Sequence, residues 1–399
     1  MAGVDGGGKL ALVMAGGGAR AAYQVGVLRY VASIAPELPV PCLTGVSAGA
    51  INAVHLARRP DSFASSVERL TELWMGLRTE NVLSAQTAPL VGNVMRWGMR
   101  LVSGGASSVP TPRAMVDTAP LRRFLREHVG MDGQQGAEAG IPGIAENLAS
   151  GRLDALAVTT TSYATGQSIT WVQGREVEMW ERGFRRSERC EITIDHVMAS
   201  AALPLLFPAV KIGDEWHGDG GIRHAAPLSP ALHLGADRIF AIATRRTPLP
   251  RAAAPEKVQD YPPPAQIMGI LMNAIFLDLI DYDAANMMRV SDLTARLPAE
   301  QRRGFRRTEL LVLRPSEDIG AMAAEHEVEL PGALRFLTRG WGTREAKAAD
   351  SLAMLLFEPG YIGRLIDLGE HDARARGDEI ARFLEVGARV TVTGWDTAR

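Results

Sequence analysis

Leu10-Ala11-Leu12-Val13-Met14-Ala15-Gly16-Gly17-Gly18-Ala19-Arg20 and, 25 residues further on, Gly45-Val46-Ser47-Ala48-Gly49 decide how this chain is read. The first stretch is a short apolar run stopped by three glycines, which predicts a buried strand over 9–15 and a turn. A helix follows from Arg20 to Ile34, with Tyr23, Val27, Tyr30, Val31 and Ile34 near one face. Pro36 and Pro39 break it, Pro41 to Leu43 enters a second strand, and Gly45–Gly49 turns that strand into a helix reaching Arg58. Strand, glycine turn and helix, twice over, predict an α/β fold with a mainly parallel central sheet flanked by helices.

Further along, Leu153–Thr161 and Gln167–Val172 alternate as paired strands across Ala164-Thr165-Gly166, and Arg238–Thr244 reads as another buried strand. Residues 245–264 hold six prolines and read as a linker. The expected division is a catalytic domain over 8–247 and a mostly helical C-terminal extension over 248–399, whose strand 309–313 can join the main sheet.

Composition narrows the function. The chain has 399 residues, 46% hydrophobic, and a formal net charge of −2. That excludes a disordered chain and gives no bulk reason to expect nucleic acid. Cys42 and Cys190 are the only cysteines, so no disulfide framework or cysteine-based metal site is expected. No histidine–cysteine cluster suggests a metal, and no cofactor is expected. The apolar runs are too short for a signal peptide or a bilayer span, so the expectation is a cytoplasmic protein that meets membranes only peripherally.

Three motifs can carry chemistry. Ser47, between Gly45 and Gly49 at a strand-to-helix turn, can present an exposed hydroxyl beside a helix N-terminus, where negative charge is favoured. The equally weighted reading is a tight turn with a serine N-cap. Gly16, Gly17 and Gly18 expose backbone N–H groups that suit an oxyanion hole, and Arg20 adds a charge that the helix dipole does not reward. The same glycines fit a loose dinucleotide fingerprint, Gly16-x-Gly18-x-x-Ala21, but the nearest acidic residue, Glu37, precedes the second strand instead of ending it. Asp219-Gly220-Gly221, after His217-Gly218, is either an Asp-Gly turn or a carboxylate able to approach another loop closely. With His217, His224, His233, His326 and His371 in the chain, a serine–histidine–aspartate triad stays open, although each histidine reads first as surface or packing.

Taken together, Gly-Gly-Gly-x-Arg, then G-x-S-x-G, then Asp-Gly-Gly resembles the patatin-like phospholipase family. Tyr23–Leu28 resembles its first helix, and Ala199-Ser200-Ala201-Ala202-Leu203-Pro204-Leu205-Leu206-Phe207-Pro208 the segment before its aspartate. The tail, with Leu313–Ser316 and Leu356–Pro359, resembles the extension of a bacterial subgroup. Ala21 and Ala15 depart from the family's usual glycine and serine but leave the backbone donors in place. The resemblance implies a lipid acyl hydrolase with Ser47 as nucleophile and Asp219 as its only side-chain base. The resemblance further implies that Gly16, Gly17 and Gly18 supply the oxyanion hole, with Arg20 supporting it. An aspartate with an ordinary pKa is a poor base for an alcohol, so the oxyanion donors must remove much of the barrier. A catalytically silent or regulatory lipid-binding module of the same fold is the rival reading.

A lipid or membrane surface is therefore the expected partner. Leu90, Val94, Trp97 and Leu101 recur at helical spacing with Arg96 and Arg100 opposite, which suits docking at a membrane, although packing onto the body or a second subunit is preferred. Arg302, Arg303, Arg306 and Arg307 read as a solvated basic face. Ser47→Ala and Asp219→Asn are expected to be small, surface-facing changes.

Overall fold

The computed structural model describes residues 8–84, 114–131, 136, 139–223, 226–246, 279–302, 304–330, 332 and 349–384. The stripe at 89–103, residues 247–264 of the linker and His224 lie outside the described residues. A ten-stranded sheet forms the centre. Its parallel part is β10 (Glu309–Leu313), β9 (Arg238–Ile242), β1 (Leu10–Met14), β2 (Cys42–Val46) and β3 (Ala155–Ser162), in that spatial order. β4 (Ser168–Gly174) runs antiparallel to β3 across the turn expected at 164–166, and β6 (Arg185–Arg189) and β5 (Glu181–Arg182) complete that side. β7 (Val210–Ile212) and β8 (Glu215–Asp219) form a hairpin, and β8 also pairs with β3.

β1, β2, β9 and β10 are buried along most of their length, as strands covered on both faces must be. Helices supply the cover: α1 (Ala22–Ile34), α2 (Ala48–Ala57), α3 (Phe63–Met75), α4 (Thr79–Val82), α5 (Ala119–His128), α6 (Ile144–Ser150) and α7 (Ile194–Ser200). In the second half follow α8 (Ser229–His233), α9 (Leu279–Arg296), α10 (Ile319–Glu325), α11 (Ala349–Leu355), α12 (Pro359–Ala375) and α13 (Gly377–Leu384).

α1 buries more than one face. Gln24, Val25 and Leu28 are as inaccessible as Tyr23, Val27 and Val31. α12 packs along α1 on the side of Tyr23 and Gly26, where a Cβ on Gly26 would meet the Ile366 carbonyl, whereas Gln24 turns the other way and donates to the Ala15 and Ile242 carbonyls at the sheet. Tyr23 Oη donates to Asp372 Oδ2 at 3.1 Å, and the Ser316 amide donates to the same oxygen at 2.9 Å. β10 pairs in register with β9, Leu311 opposite Phe240. The C-terminal helices and strand thus share one hydrophobic core with the first half.

The basic face is partly engaged by the chain itself. Arg306 Nη2 donates to the Leu232 carbonyl at 2.9 Å, and Arg302 Nε to that of Leu297 at 3.0 Å. No described helix is long and apolar enough to cross a membrane.

Strand order reverses at β1. The chain proceeds from β1 to β2 and β3 on one side and later fills β9 and β10 on the other. In open α/β sheets such a reversal opens a crevice at the carboxyl ends of the strands. The Gly16–Gly18 loop and Ser47 leave β1 and β2 at that end.

Candidate active site

β3 brings the serine and the aspartate together. Val46, the last residue of β2, pairs with Thr159, and Asp219, the last residue of β8, pairs with Thr160. β8 therefore takes over the edge of β3 where β2 leaves it. One residue of rise along a strand is about 3.3 Å, so Ser47, just after Val46, is delivered beside Asp219.

Ser47 occupies a strained turn, with φ 55° and ψ −131°. A non-glycine residue rarely adopts positive φ, and when it does the surrounding structure must hold it there. Gly49 is part of that hold: a Cβ on it would stand 2.3 Å from the Met14 carbonyl, so only glycine lets α2 begin this close to β1. Although Ser47 is the N-cap residue of α2, its side chain makes no capping hydrogen bond. The serine-cap reading of the turn is thereby set aside, and the hydroxyl is left available. Its amide donates to Ser200 Oγ at 2.9 Å, and Ser200 Oγ donates to the Thr159 carbonyl at 2.7 Å.

Asp219 is fully buried, and Ser47 is 4% exposed. Neither is surface-facing, contrary to the expectation from sequence. Burial costs the charged form and raises the Asp219 pKa to about 7, against the opposing pull of the Gly221 amide and the Ser47 hydroxyl. Oδ1 accepts from the Gly221 amide at 2.7 Å. Oδ2 is buried and completes no full hydrogen bond, which leaves it able to take a proton from the neighbouring hydroxyl. A carboxylate with a pKa near 7 is a far better base than its reference value suggests.

The glycine loop borders this pair. A Cβ on Gly16 would lie 3.1 Å from Ser47 Cβ, and the Gly16 carbonyl accepts from Thr244 Oγ1 at 2.6 Å. Gly18 and Arg20 lie in a 3-10 turn over Gly18–Ala21, and the Arg20 side chain is buried there. Gly18 and Ala48 each begin a helical turn, so their N–H groups have no intrahelical acceptor. Gly45 sits within β2, while Gly220 and Gly221 start the turn after Asp219. Beneath the loop runs a buried polar chain. Trp74 Nε1 donates to Asn52 Oδ1 (2.8 Å), Asn52 Nδ2 to Gln24 Oε1 (2.9 Å), and Gln24 Nε2 to the Ala15 carbonyl (2.7 Å).

No described histidine bonds to the pair. His217 Nδ1 lies 3.2 Å from Thr160 Oγ1, with its ring edge-on to Trp171, and burial lowers its pKa. His233 stacks on Trp180, His326 pairs with Glu329, and His371 is exposed. Among the described residues no group of three metal-ligating side chains gathers.

Residues 12–232, more than half of the chain, match the sequence model of the patatin-like phospholipase family. The chain belongs to that family. No curated protein matches the sequence. Among solved structures, VipD from Legionella pneumophila is similar at 11% identity and a TM-score of 0.38, over 93% of this chain and 67% of that one. Human GIVD cytosolic phospholipase A2, in complex with methyl gamma-linolenyl fluorophosphonate and terbium chloride, is similar at 14% identity and a TM-score of 0.43, over 94% and 59%. This patatin-like chain spans about three fifths of the human protein's length.

An apolar pocket opens from Ser47 in this patatin-like fold. It holds about 530 Å³ of empty space, part of it continuous with solvent. Ser47, Ala48 and Ile51 form one wall, and Leu121, Phe124 and Phe207 lie across from it. Met354 and Phe357 close it from the C-terminal third of the chain. A Cβ on Gly18 would meet the Met354 carbonyl at 2.1 Å, and Gly18 has φ +57°. The space in which a dinucleotide's pyrophosphate would approach this turn is filled by the chain itself, which argues against the dinucleotide reading.

Sequence reasoning gave no role to Ala48, Ser200, Thr244, Met354 or Phe357, although Ser200 and Phe357 lie in stretches that resemble the family. The G-x-S-x-G pattern could have flagged Ala48, as the residue after the nucleophile supplies an oxyanion donor in such elbows. The contacts that bring the others to the site join residues far apart in the chain and leave no periodicity to read.

Proposed function

We propose that the protein is a serine acyl hydrolase that cleaves carboxylic esters of phospholipids or lysophospholipids through a Ser47–Asp219 dyad. The observation that carries this reading is an uncapped, strained Ser47 beside a fully buried Asp219, at the mouth of an almost wholly apolar pocket.

Ser47 Oγ attacks the ester carbonyl carbon as Asp219 Oδ2 takes the hydroxyl proton. The tetrahedral oxyanion is held by the N–H groups of Gly17, Gly18 and Ala48 and by the dipole of α2. Collapse breaks the ester C–O bond, and the leaving alcohol takes the proton from Asp219. Water then gives a proton to Asp219 and attacks the acyl-enzyme, and Ser47 leaves with its hydroxyl restored. No histidine or metal takes part. The pocket receives the acyl chain, whose burial contributes about 0.8 kcal/mol per methylene. The enzyme acts from the aqueous side, meeting lipid at a membrane or micelle.

Hydrolysis of lysophosphatidylcholine micelles and phosphatidylglycerol vesicles tests this. Wild type should release fatty acid, and Ser47→Ala and Asp219→Asn should each lower kcat by at least about 1,000-fold with the fold retained. His217→Gln should keep most of the activity. Lipid binding without turnover by wild type would favour the silent module instead.

A further inference from the structure

Beside the pocket lies a second apolar recess, with about 340 Å³ of empty space, part of it continuous with solvent. Val54, His55, Ile141, Ile194 and Val197 are among its walls. Three residues, Ile51, Leu73 and Leu125, line both cavities, so the partition between them is made of their side chains.

α2 runs past both spaces. Ser47 and Ala48 at its start face the first cavity, Ile51 stands at the partition, and Val54 and His55 face the second. At 1.5 Å per residue, Ser47 to His55 covers about 12 Å, and the partition stands about 6 Å from the nucleophile. A saturated chain advances by about 1.3 Å per carbon, given C–C bonds of ~1.5 Å at tetrahedral angles. A chain following α2 thus meets the partition near its fifth carbon and passes His55 near its tenth. His55 does not make the second cavity ionic. Its Nε2 sits 3.0 Å from the Ser66 carbonyl, and burial lowers its pKa to about 4, so the ring is neutral at pH 7. His128, the other histidine of the lining, is exposed, so the recess opens to solvent there, and its remaining walls are apolar and favour an apolar occupant.

We propose that the second cavity is the distal chamber of the acyl site, taking the methyl end of long acyl chains, and that Ile51, Leu73 and Leu125 form the gate that sets chain-length preference. The inference rests on Ser47 being the acylated residue. It adds a site that the catalytic reading does not need, since short acyl groups fit the first pocket alone. The gate side chains are single-branched or β-branched aliphatics that can change rotamer without breaking a hydrogen bond.

The test uses the full chain and alkyl fluorophosphonates with C4, C8 and C16 tails, of which only C4 stops short of the partition. Ser47 Oγ attacks phosphorus, the P–F bond breaks, fluoride leaves, and the hydroxyl proton passes to Asp219. Intact mass gives the rate of adduct formation at each length. Val54→Phe, which fills the distal chamber, should lower the C16-to-C4 rate ratio by roughly tenfold or more. Leu125→Ala, which thins the gate, should raise that ratio. Leu125→Ala removes atoms instead of adding them, so it decides the matter even if Val54→Phe fails to fold. A C16-to-C4 ratio unchanged in Leu125→Ala overturns the distal chamber while leaving the dyad intact. A wild-type protein that takes no adduct at any length contradicts the dyad itself, and the chamber with it.

Discussion

The Ser47 amide donates to the Ser200 hydroxyl at 2.9 Å. Ser200 in turn donates to the Thr159 carbonyl at 2.7 Å, so the strained turn at Ser47 is bolted to β3, the strand against which Asp219 also pairs. Ser200 is fully buried, and no water can replace its oxygen cheaply. Ser200→Ala should cost about 1–3 kcal/mol of stability, the usual penalty for a buried donor left unpaired. It should also lower kcat by about 10- to 100-fold through misplacement of Ser47, with a smaller change in KM. Denaturant melts and steady-state kinetics on one soluble ester would measure both. An unchanged kcat would show that the turn holds itself without this bridge.

Asp219 makes activity and stability respond to pH in opposite directions. With a folded pKa of about 7, the Asp219 carboxylate, the base of the proposed dyad, is fully formed only above neutrality. In the pH–rate profile, kcat/KM should rise roughly tenfold per unit below pH 7 and level off above it. The unfolded chain ionises this group near its reference value of about 3.9. Folding therefore takes up a proton between about pH 4 and pH 7, and the stability Asp219 allows is intact below that window and lost as pH rises through it. Asp219→Asn should match wild-type melting near pH 4 and melt higher at pH 8, by an amount that grows across the window. A higher melting temperature for wild type than for Asp219→Asn at pH 8 would contradict the buried-acid account.

Gly18 reports whether the C-terminal helices belong to the site. Gly18→Ala places a methyl on the Met354 carbonyl and forces positive φ on alanine, whereas Gly213→Ala imposes a similar φ of +58° with nothing within 4 Å. The second variant isolates the backbone penalty, about 1–2 kcal/mol. Gly18→Ala should destabilise clearly more than that and should depress kcat. Equal losses in the two melts would mean that α11 can retreat from the Gly16–Gly18 loop without consequence.

How much of this was legible depends on range. Leu10–Met14 and the Gly45–Gly49 turn were readable because a buried parallel strand is a continuous apolar run and a sharp turn needs glycine, both local signals. The serine–aspartate pairing was legible only through resemblance. Its physical cause, the handover of the β3 edge from Val46 to Asp219, joins residues more than 170 apart and leaves no periodicity. That α12 covers the Tyr23 side of α1 was hidden for the same reason, since α12 lies over 300 residues downstream. Nor could sequence reveal that Asp219 is buried, and so it supplied an ordinary pKa where the fold imposes a raised one.

The most direct test of the dyad is covalent. Incubation with a short-chain fluorophosphonate at pH 8, followed by intact mass and peptide mapping, should show one adduct, located on Ser47. Ser47→Ala should remain unmodified, and Asp219→Asn should react at least about 100-fold more slowly. An adduct on any other residue, or undiminished labelling of Asp219→Asn, would contradict the assignment of Ser47 as a nucleophile activated by Asp219.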